Sequence, residues 1–584
     1  MPSPFQPLRT AISTLARRFE DELKSPEQSG NLALLQALII GLLAGLGTVA
    51  FRYTMGAIGT WRNRIGLVHP GMAHVAWWQW LILPAIGFAT GAIAGHLVVY
   101  LAPEAKGSGI PQVKQALHEP NVHMRRRTIW VKFMAAVIGI GGGLSMGREG
   151  PTVQIGGGIG ELVSRWLPHS RHERRQLIAA GAGAGIAAAF NAPIAGFVFI
   201  IEELLRDFSS HTLGTAILAT VTAAVITRLL AGNIYSYALP HATFHMAEFP
   251  FYILLGVLGG LGGLLFIRGI LGSMDWWERL EWLPRAWHPA FAGLFTGIVG
   301  LFMPAAIGGG HDLAEIAFSN RFPFWQLILA LPAKFVLTTA AYGSGAAGGI
   351  FAPILVLGAV LGAIVGNVAS YLTNIDLGIV AGFAYVGMGA LFTAVARAPI
   401  TSIIIVFELT GDYEHVLPLM AACVTANIVA NAFKGVSIYD ALAERDGANL
   451  HEDPLHAYLG DRLIDEVMTR EVVTLDAHEK LDDVAHRFTH APFGGYPVVE
   501  DGKLVGLVTR RELLQATEAH LASDTPVRAF MNDAPITIAD HQPLDHAWHL
   551  LAENNIGRLI VVSDGAVVGI VTREDLLLGV AHAA

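Results

Sequence analysis

The stretch MAAVIGIGGGLSMGREGP, residues 134–151, decides what kind of protein this is. Its apolar part is too short to cross a bilayer, and the Gly-Arg-Glu-Gly-Pro that closes it interrupts a helix. A second run, Leu177–Phe190, ends in the same way at Asn191-Ala192-Pro193. Irregular backbone is tolerated at membrane depth only where it is buried in protein or lines a polar cavity. The pattern therefore predicts helices that stop partway through a membrane, which a soluble enzyme does not need.

The composition around these breaks is that of a membrane protein. Of 584 residues, 53% are hydrophobic, 15% are charged and 65 are glycine, whereas soluble domains carry roughly 25% charged residues. Glycine lets helices pack closely in lipid. Runs that approach the ~20 residues needed to cross a bilayer are Leu32–Phe51, Leu81–Leu101, Phe251–Ile270 and Phe351–Leu372. We predict an all-α polytopic membrane domain with interrupted helices.

The membrane part also repeats itself, since motifs of its first half recur in order 201 to 206 positions later. The matched pairs are Gly107-Ser108-Gly109 with Gly308-Gly309-Gly310, Pro151 with Pro353, Gly181 with Gly387, Gly183 with Gly389, Ala192-Pro193 with Ala398-Pro399, and Glu202 with Glu408. Interrupted segments at corresponding places in two halves indicate a transporter whose site lies where the repeats meet. Whether the repeats are inverted cannot be read from the pattern.

Charge divides the chain into regions, because Asp, Glu, Arg and His become frequent from Ala441 onward. We predict a cytosolic leader (1–31), a membrane domain (32–441), a linker (442–460) and a soluble region (461–584). The arginines of the leader favour the cytosolic side. Both termini are then cytoplasmic, which requires an even number of crossings, and we expect a multi-pass protein of the inner or plasma membrane.

The soluble region contains a second repeat with an offset of 63 positions, as Val505–Arg510 recurs at Val568–Arg573. Short β-branched runs such as Leu504–Val508 alternate with helical patterns such as Leu481–Phe488 and Leu544–Leu551. We predict two small α/β units, 461–520 and 524–584. Units of this size pack on each other, because each covers an apolar face that the other cannot cover alone.

Three glycine-rich loops have the design of an anion site: Gly107–Pro111, Gly147–Pro151 and Gly348–Pro353. A helix N-terminus presents free N–H groups and about half a positive charge, so it binds an anion without Lys or Arg. Partial charges also release the anion again. Close helix packing explains one such loop equally well, but three loops within one repeat favour the site.

Acidic residues within this region suggest proton chemistry. Glu149 lies among glycines at an interrupted helix, where an ionised carboxylate is costly and usually functional. Such a carboxylate competes with an anion for its site and leaves when protonated. The alternative is a Glu that caps a helix or pairs with Arg148. Glu202 and Glu203 end the apolar run Ile194–Ile201, so we expect them near a membrane–water boundary, where solvated interfacial acids are the simplest interpretation.

Other function classes fit poorly. The net charge of −9 offers no basic footprint for nucleic acid. The one cysteine, Cys423, excludes a disulfide framework and a cysteine metal site, and we predict no metal site. A magnesium transporter would need several hard oxygen ligands close together, whereas these loops offer glycines, amides and one hydroxyl. An intramembrane enzyme would need a nucleophile–base pair, and Ser108 has no nearby His or Asp.

The ordered motifs, together with the later Tyr439, resemble the signatures of the CLC chloride channel and transporter family over about residues 32–441. The resemblance implies that Ser108 and Tyr439 hold a central chloride with the backbone amides of Ile350 and Phe351. It implies that Glu149 is the external gating glutamate, and that the protein is a homodimer with one pathway per subunit. The full set of expected chloride-binding residues is Ser108, Ile350, Phe351, Tyr439, Gly107, Gly109, Arg148 and Gly150.

Two positions bear on the mode of transport. Glu203 matches the family's internal proton-transfer acid, which is usually apolar in its channels, so the resemblance implies chloride/proton exchange. Ser108 stands where nitrate-preferring members carry proline, and the fluoride-exporting branch lacks Tyr439. A passive chloride channel of the same fold stays the alternative. A CBS-regulated magnesium transporter is a remote one.

Residues 461–584 resemble a tandem pair of CBS domains. Such pairs often bind adenine nucleotides through a turn that Gly569, Thr572 and Asp575 match. Thr509 and Glu512 occupy the corresponding places in the first repeat, with Glu in place of Asp. The resemblance therefore allows a regulatory adenine nucleotide, although no cofactor is expected to be required. A scaffold that binds nothing fits the residues as well.

Overall fold

A computed structural model describes residues 26–66, 78–119, 121–166, 171–206, 210–232, 244–319, 323–373, 379–433, 435–448, 462–490, 493–554 and 556–576. Residues 1–25 of the predicted leader and 449–460 of the predicted linker lie outside these ranges. The chain divides into two units, one ending at Leu450 and the other beginning at His451.

Within its described residues, the first unit consists of helices joined by loops. In chain order its helices are α1 (Pro26–Gly66), α2 (Gln79–His96), α3 (Ile110–His118), α4 (Arg126–Gly141), α5 (Glu149–Ser164), α6 (Arg171–Phe190), α7 (Pro193–Phe199), α8 (Ser210–Ala231), α9 (Phe249–Glu278), α10 (His288–Phe302), α11 (His311–Ser319), α12 (Phe324–Gly343), α13 (Phe351–Thr373), α14 (Ile379–Ala396), α15 (Pro399–Thr410), α16 (Val416–Ala432) and α17 (Ile438–Arg445). Wider π-helical turns, Leu97–Leu101 and Ile200–Leu205, extend α2 and α7.

The predicted membrane helices are confirmed. Within the described residues, seven helices are long and apolar enough to cross a bilayer, and they include all four predicted runs. The predicted interruptions are also present, since α4 ends at Gly141 before α5 begins at Glu149, and α6 ends at Phe190 before α7 begins at Pro193. The most deeply buried span is α14, whose residues are all buried.

The two predicted halves of this unit share their architecture. Helices α3 and α11 begin 201 positions apart, and α7 and α15 begin 206 positions apart. The residues before α7 and α15 agree as well: Asn191 and Arg397 adopt the left-handed backbone conformation at φ 58° and 61°. Proline at the first position of both helices follows because its missing N–H needs no partner there.

Contacts between the halves are reciprocal. Both oxygens of Glu408 accept hydrogen bonds from the backbone N–H groups of Ile194 and Ala195 at the start of α7, at 3.2 and 2.7 Å. Glu202 accepts from the N–H groups of Ile400 and Thr401 at the start of α15, at 3.0 and 2.6 Å. Glu202 and Glu408 are matched residues of the repeat, and so are the helix starts that they cap. Such a reciprocal pair of contacts indicates a two-fold relation between the halves. Each half therefore caps a helix of the other.

The second unit consists of two α/β repeats. Its described elements are α18 (Ile464–Val467), β1 (Leu475–Asp476), α19 (Leu481–His490), β2 (Gly495–Glu500), β3 (Lys503–Thr509), α20 (Arg510–Glu518), β4 (Thr537–Ala539), α21 (Leu544–Glu553), β5 (Arg558–Ser563) and β6 (Ala566–Thr572). In each sheet, the first strand pairs parallel to the second and the second antiparallel to the third. The predicted strand and helices of this region are confirmed.

The two repeats complete each other's cores, as predicted. The core of the first includes Val527, which precedes β4 in sequence. The core of the second includes Ile464 and Met468, which precede β1. Neither repeat covers its apolar side with its own strands and helices alone.

Candidate anion pathway

The three glycine-rich loops predicted to form a site meet through backbone hydrogen bonds. Gly107 donates to Ala346 O at 3.1 Å and accepts from Gly348 N at 2.9 Å. Gly147 and Gly349 exchange a pair of hydrogen bonds at 2.6 and 2.7 Å. Sequence positions more than 200 residues apart are thus joined at one place, and the predicted convergence of the loops is confirmed.

Two helices, α3 and α5, begin at this junction. The N-cap of α3 is Gly109 at φ 94°, the N-cap of α5 is Arg148, and neither side chain caps its helix. Ser108, which is buried, accepts a hydrogen bond from Ile110 N at 3.3 Å. The first N–H groups of a helix have no partner within the helix. An anion at this junction is the partner that these groups fit.

Glu149 lies inside the junction. Its side chain is fully buried, and neither carboxylate oxygen has a hydrogen-bond partner within the described part of the chain. The nearest cation is Arg148, with its Nε at 3.7 Å from Oε1. A Cβ on Gly147 would overlap Oε2 and would lie 3.1 Å from the backbone nitrogen of Ala352. The carboxylate therefore sits beside helix-start amides, where an anion would bind.

Glycine is required where the loops cross. A Cβ on Gly150 would lie 2.6 Å from Ser108 O and 2.9 Å from the Cα of Gly349. Both distances are too short for a real contact, so a side chain at position 150 would push two other loops apart. Position 150, one of the predicted chloride-binding positions, therefore requires glycine because the backbones approach closely there.

Tyr439 contributes an unused hydroxyl from the first turn of α17. Its side chain is fully buried, and within the described residues the hydroxyl has no hydrogen-bond partner. Its ring packs edge-on against Phe199 with the centroids 6.4 Å apart, and Phe199 in turn packs against Phe351. Ile350 and Phe351 are also buried. The predicted chloride-binding residues share one buried region, and their role in binding stays a prediction.

The expectation of a solvated interfacial acid was wrong for Glu203, which is buried, whereas Glu202 is half-buried. Glu202 caps α15, which confirms the scaffold role that its match with Glu408 suggests. The Glu203 side chain is only 2% exposed, and its Oε1 accepts from Lys114 Nζ at 2.8 Å and from Ser437 Oγ at 3.1 Å. Burial of a carboxylate needs such partners.

Buried lysines are the residues that sequence reasoning missed. Lys132 donates to the carbonyls of Ala105 and Gly107 at 3.0 and 2.7 Å. Lys334, 202 positions later, donates to the carbonyls of Ala306 and Gly308 at 3.0 and 2.8 Å. Lys132 therefore stabilises the Gly107 loop through its carbonyls, and anion binding by the loop amides without a lysine stays a prediction. The sequence does contain a signal for these lysines, because the offset between Lys132 and Lys334 equals the offset between Pro151 and Pro353.

The nucleotide candidates cap helices. Thr572 donates from Oγ1 to Asp575 at 2.7 Å and from its backbone N–H at 2.8 Å. In the first repeat, the backbone N–H of Thr509 donates to Glu512 at 2.9 Å, and the two side chains are also hydrogen bonded. Both pairs begin a helix after a strand. Capping explains these residues without a ligand, so nucleotide binding stays a prediction.

Comparisons with known proteins cover both units. Residues 90–431 match the family model described as "Voltage gated chloride channel", and residues 464–519 and 527–582 match that of the CBS domain. The chain is 36% identical to an H(+)/Cl(-) exchange transporter ClcA of Cronobacter sakazakii over 73% of its own length and 92% of that protein. The ClcA of Klebsiella pneumoniae strain 342 is also 36% identical, over 70% and 88%.

Solved structures agree with this fold. A slow cyanobacterial Cl-/H+ antiporter superposes with a TM-score of 0.67 at 33% identity, covering 72% of this chain and 99% of that one. A eukaryotic CLC transporter superposes with a TM-score of 0.62 at 22% identity, covering 93% and 97%. The second likeness extends over both units and concerns the fold alone.

Proposed function

Because the chain belongs to the voltage gated chloride channel family and carries a tandem CBS pair, we propose that it exchanges chloride against protons across a membrane. The observation that carries the proposal is the position of Glu149. Its carboxylate is buried near the backbone amide of Ala352 at the start of α13, and neither of its oxygens has a hydrogen-bond partner within the described residues. When it is ionised it occupies the anion site, and when it is protonated it leaves the site to chloride.

Proton coupling needs a second acid that delivers protons to Glu149 from the other side, and we assign Glu203 to that task. It is a buried carboxylate in the same unit, and it lies beside Tyr439 at the start of α17, where Ser437 donates to it. The names of the relatives, ClcA exchange transporters and a cyanobacterial antiporter, support exchange over passive conduction.

The test is a reversal potential measured on purified protein in planar bilayers, first with a chloride gradient and then with an added pH gradient. An exchanger shifts its reversal potential with both gradients, because each transport cycle moves both ions. A reversal potential set by chloride alone at every imposed pH gradient would establish the channel alternative.

We also propose a homodimer with one pathway per subunit and cytoplasmic termini. The family resemblance supports the dimer, and the arginines of the leader support the orientation. The mass of the detergent-solubilised complex tests the first point. Protease access to a C-terminal tag in sealed inside-out and right-side-out vesicles tests the second, and a tag cleaved only in right-side-out vesicles would reverse the orientation.

A further inference from the structure

A buried lysine binds two carboxylates at the inner end of the proposed proton path. Lys114 on α3 is 2% exposed, and its Nζ contacts both Glu203 and Asp440. The second oxygen of Asp440 binds Arg206 at 2.5 Å, and Arg206 is 60% exposed. The cluster therefore contains two cations and two carboxylates, and it runs from the buried Glu203 to the surface.

The arrangement solves a problem that proton transfer at Glu203 creates. If Lys114 had only Glu203 as its counterion, each protonation of Glu203 would leave a buried ammonium group unpaired. An unpaired buried charge is strongly destabilising. The lysine would then hold Glu203 in its ionised form, and the carboxylate could not carry a proton.

We propose that Asp440 is the permanent counterion of Lys114, and that this second carboxylate is what allows Glu203 to take up and release its proton. Asp440 acts through Lys114 as a positioning residue. The inference rests on the proposed assignment of Glu203 as the internal proton-transfer acid, and it adds a residue that the sequence motifs do not include.

The hydrogen bonds decide which carboxylate stays ionised. Asp440 uses one oxygen for Lys114 and the other for Arg206, so both of its oxygens face cations. Glu203 receives Lys114 and the Ser437 hydroxyl on Oε1, which leaves Oε2 to carry a proton. Other titratable groups near this cluster include Tyr439, the neighbour of Asp440, and Glu202, whose carboxylate is bound to the backbone at the start of α15. Glu203 is therefore the member of the pair that changes its charge.

A purely structural role for Asp440 is the alternative, since α17 is anchored by other ion pairs too. Arg445 binds Asp275 at 2.6 Å and Glu278 at 2.7 Å, and Asp446 binds Lys106 at 2.7 Å. These contacts provide a matched control. Asp446→Asn removes the same charge from the end of the same helix, without touching Lys114 or Glu203.

The experiment compares Asp440→Asn with Asp446→Asn in proteoliposomes, with chloride flux and proton flux recorded while the pH is varied on each side in turn. In Asp440→Asn, Glu203 is the carboxylate left to pair with Lys114, so the lysine stabilises the ionised form of Glu203. We expect the pH of half-maximal proton flux to fall by about one unit or more, and proton flux at neutral pH to fall about tenfold. Chloride flux should persist. Asp446→Asn should match the wild type.

A double variant separates electrostatics from folding. In Lys114→Met/Asp440→Asn the buried cation is gone as well, so Glu203 no longer has a reason to stay ionised, and proton flux should recover to within about threefold of the wild type. Wild-type pH dependence in Asp440→Asn would overturn the proposal, and so would a defect that the double variant fails to recover. Proton flux that survives in Glu203→Gln would instead refute the Glu203 assignment.

Discussion

The loops before α3 and α11 share one backbone design. In each, a 3-10 turn, Pro103–Ala105 or Pro304–Ala306, leads to a glycine in the left-handed region, Gly107 at φ 65° or Gly308 at φ 61°. In each, a buried lysine binds the carbonyls of the turn and of the glycine. This much of the molecule is duplicated.

Three side chains with predicted transport roles, those of Ser108, Glu149 and Glu203, have no equivalent in the second half. At matched positions the second half has residues that neither titrate nor donate from a side chain: Ser108 is matched by Gly309, Glu149 by Phe351, and Glu203 by Leu409. Residues that obey the repeat, such as Glu202 with Glu408, cap helices. The comparison shows a duplicated scaffold, and it predicts that the unduplicated side chains carry transport.

The largest expected effect comes from Glu149→Gln, which imitates the protonated form. Proton transport should fall at least about a hundredfold, while chloride flux persists. A matched control is Glu161→Gln, another buried glutamate of α5 that pairs with Arg165 and Arg174. That variant should lower thermal stability and leave the ratio of chloride to protons unchanged. Intact proton pumping by Glu149→Gln in vesicles would remove Glu149 from its assigned role.

The next effect sets two adjacent glutamates against each other. Glu203→Gln should abolish proton transport and leave chloride conductance. Glu202→Gln should alter coupling less, but it should destabilise the fold by about 1 kcal/mol, since it weakens the cap of α15. Paired chloride and pH recordings, together with thermal unfolding of both variants, check this. Equal loss of coupling in the two variants would break the distinction between duplicated and unduplicated residues.

A smaller effect is expected for selectivity. Ser108→Pro removes the hydroxyl and the N–H that faces the Tyr342 hydroxyl at 3.4 Å. Loss of one donor to an anion is worth about 1.5 kcal/mol, so the chloride-to-nitrate permeability ratio should fall about tenfold. Gly309→Ala is the control from the other half, because an added Cβ there finds ordinary contacts. An unchanged ratio in Ser108→Pro would locate the central site elsewhere.

The smallest effect on transport is expected at the CBS pair, where again one repeat has the full turn and the other has Glu512 in place of Asp. If an adenine nucleotide binds, saturating ATP at about 100 times its Kd should stabilise the second unit by about 2.7 kcal/mol. Asp575→Asn should reduce this thermal shift more than Glu512→Gln does. A full-length protein whose unfolding temperature is indifferent to ATP, ADP and AMP would favour the scaffold interpretation.

Helix starts and the two repeats could be predicted because glycine and proline act locally and because offsets are visible in the sequence. The ion pairs could not. Lys114 and Asp440 are 326 positions apart, and no local rule joins them. The burial of Glu203 was missed for a related reason, since its partners come from α3 and from the start of α17. Lys132 escaped notice because its partners are carbonyl groups, which every residue has.

The reciprocal caps formed by Glu202 and Glu408 bear on how the chain is made. Ile194 and its cap are separated by 214 positions, which a ribosome takes roughly 10 to 40 s to synthesise. Throughout that interval the start of α7 lacks the carboxylate that satisfies its amides. An unsatisfied amide in lipid costs several kcal/mol. The cap of α7 is therefore completed only after α15 has been synthesised, and a chain that ends before residue 408 lacks it.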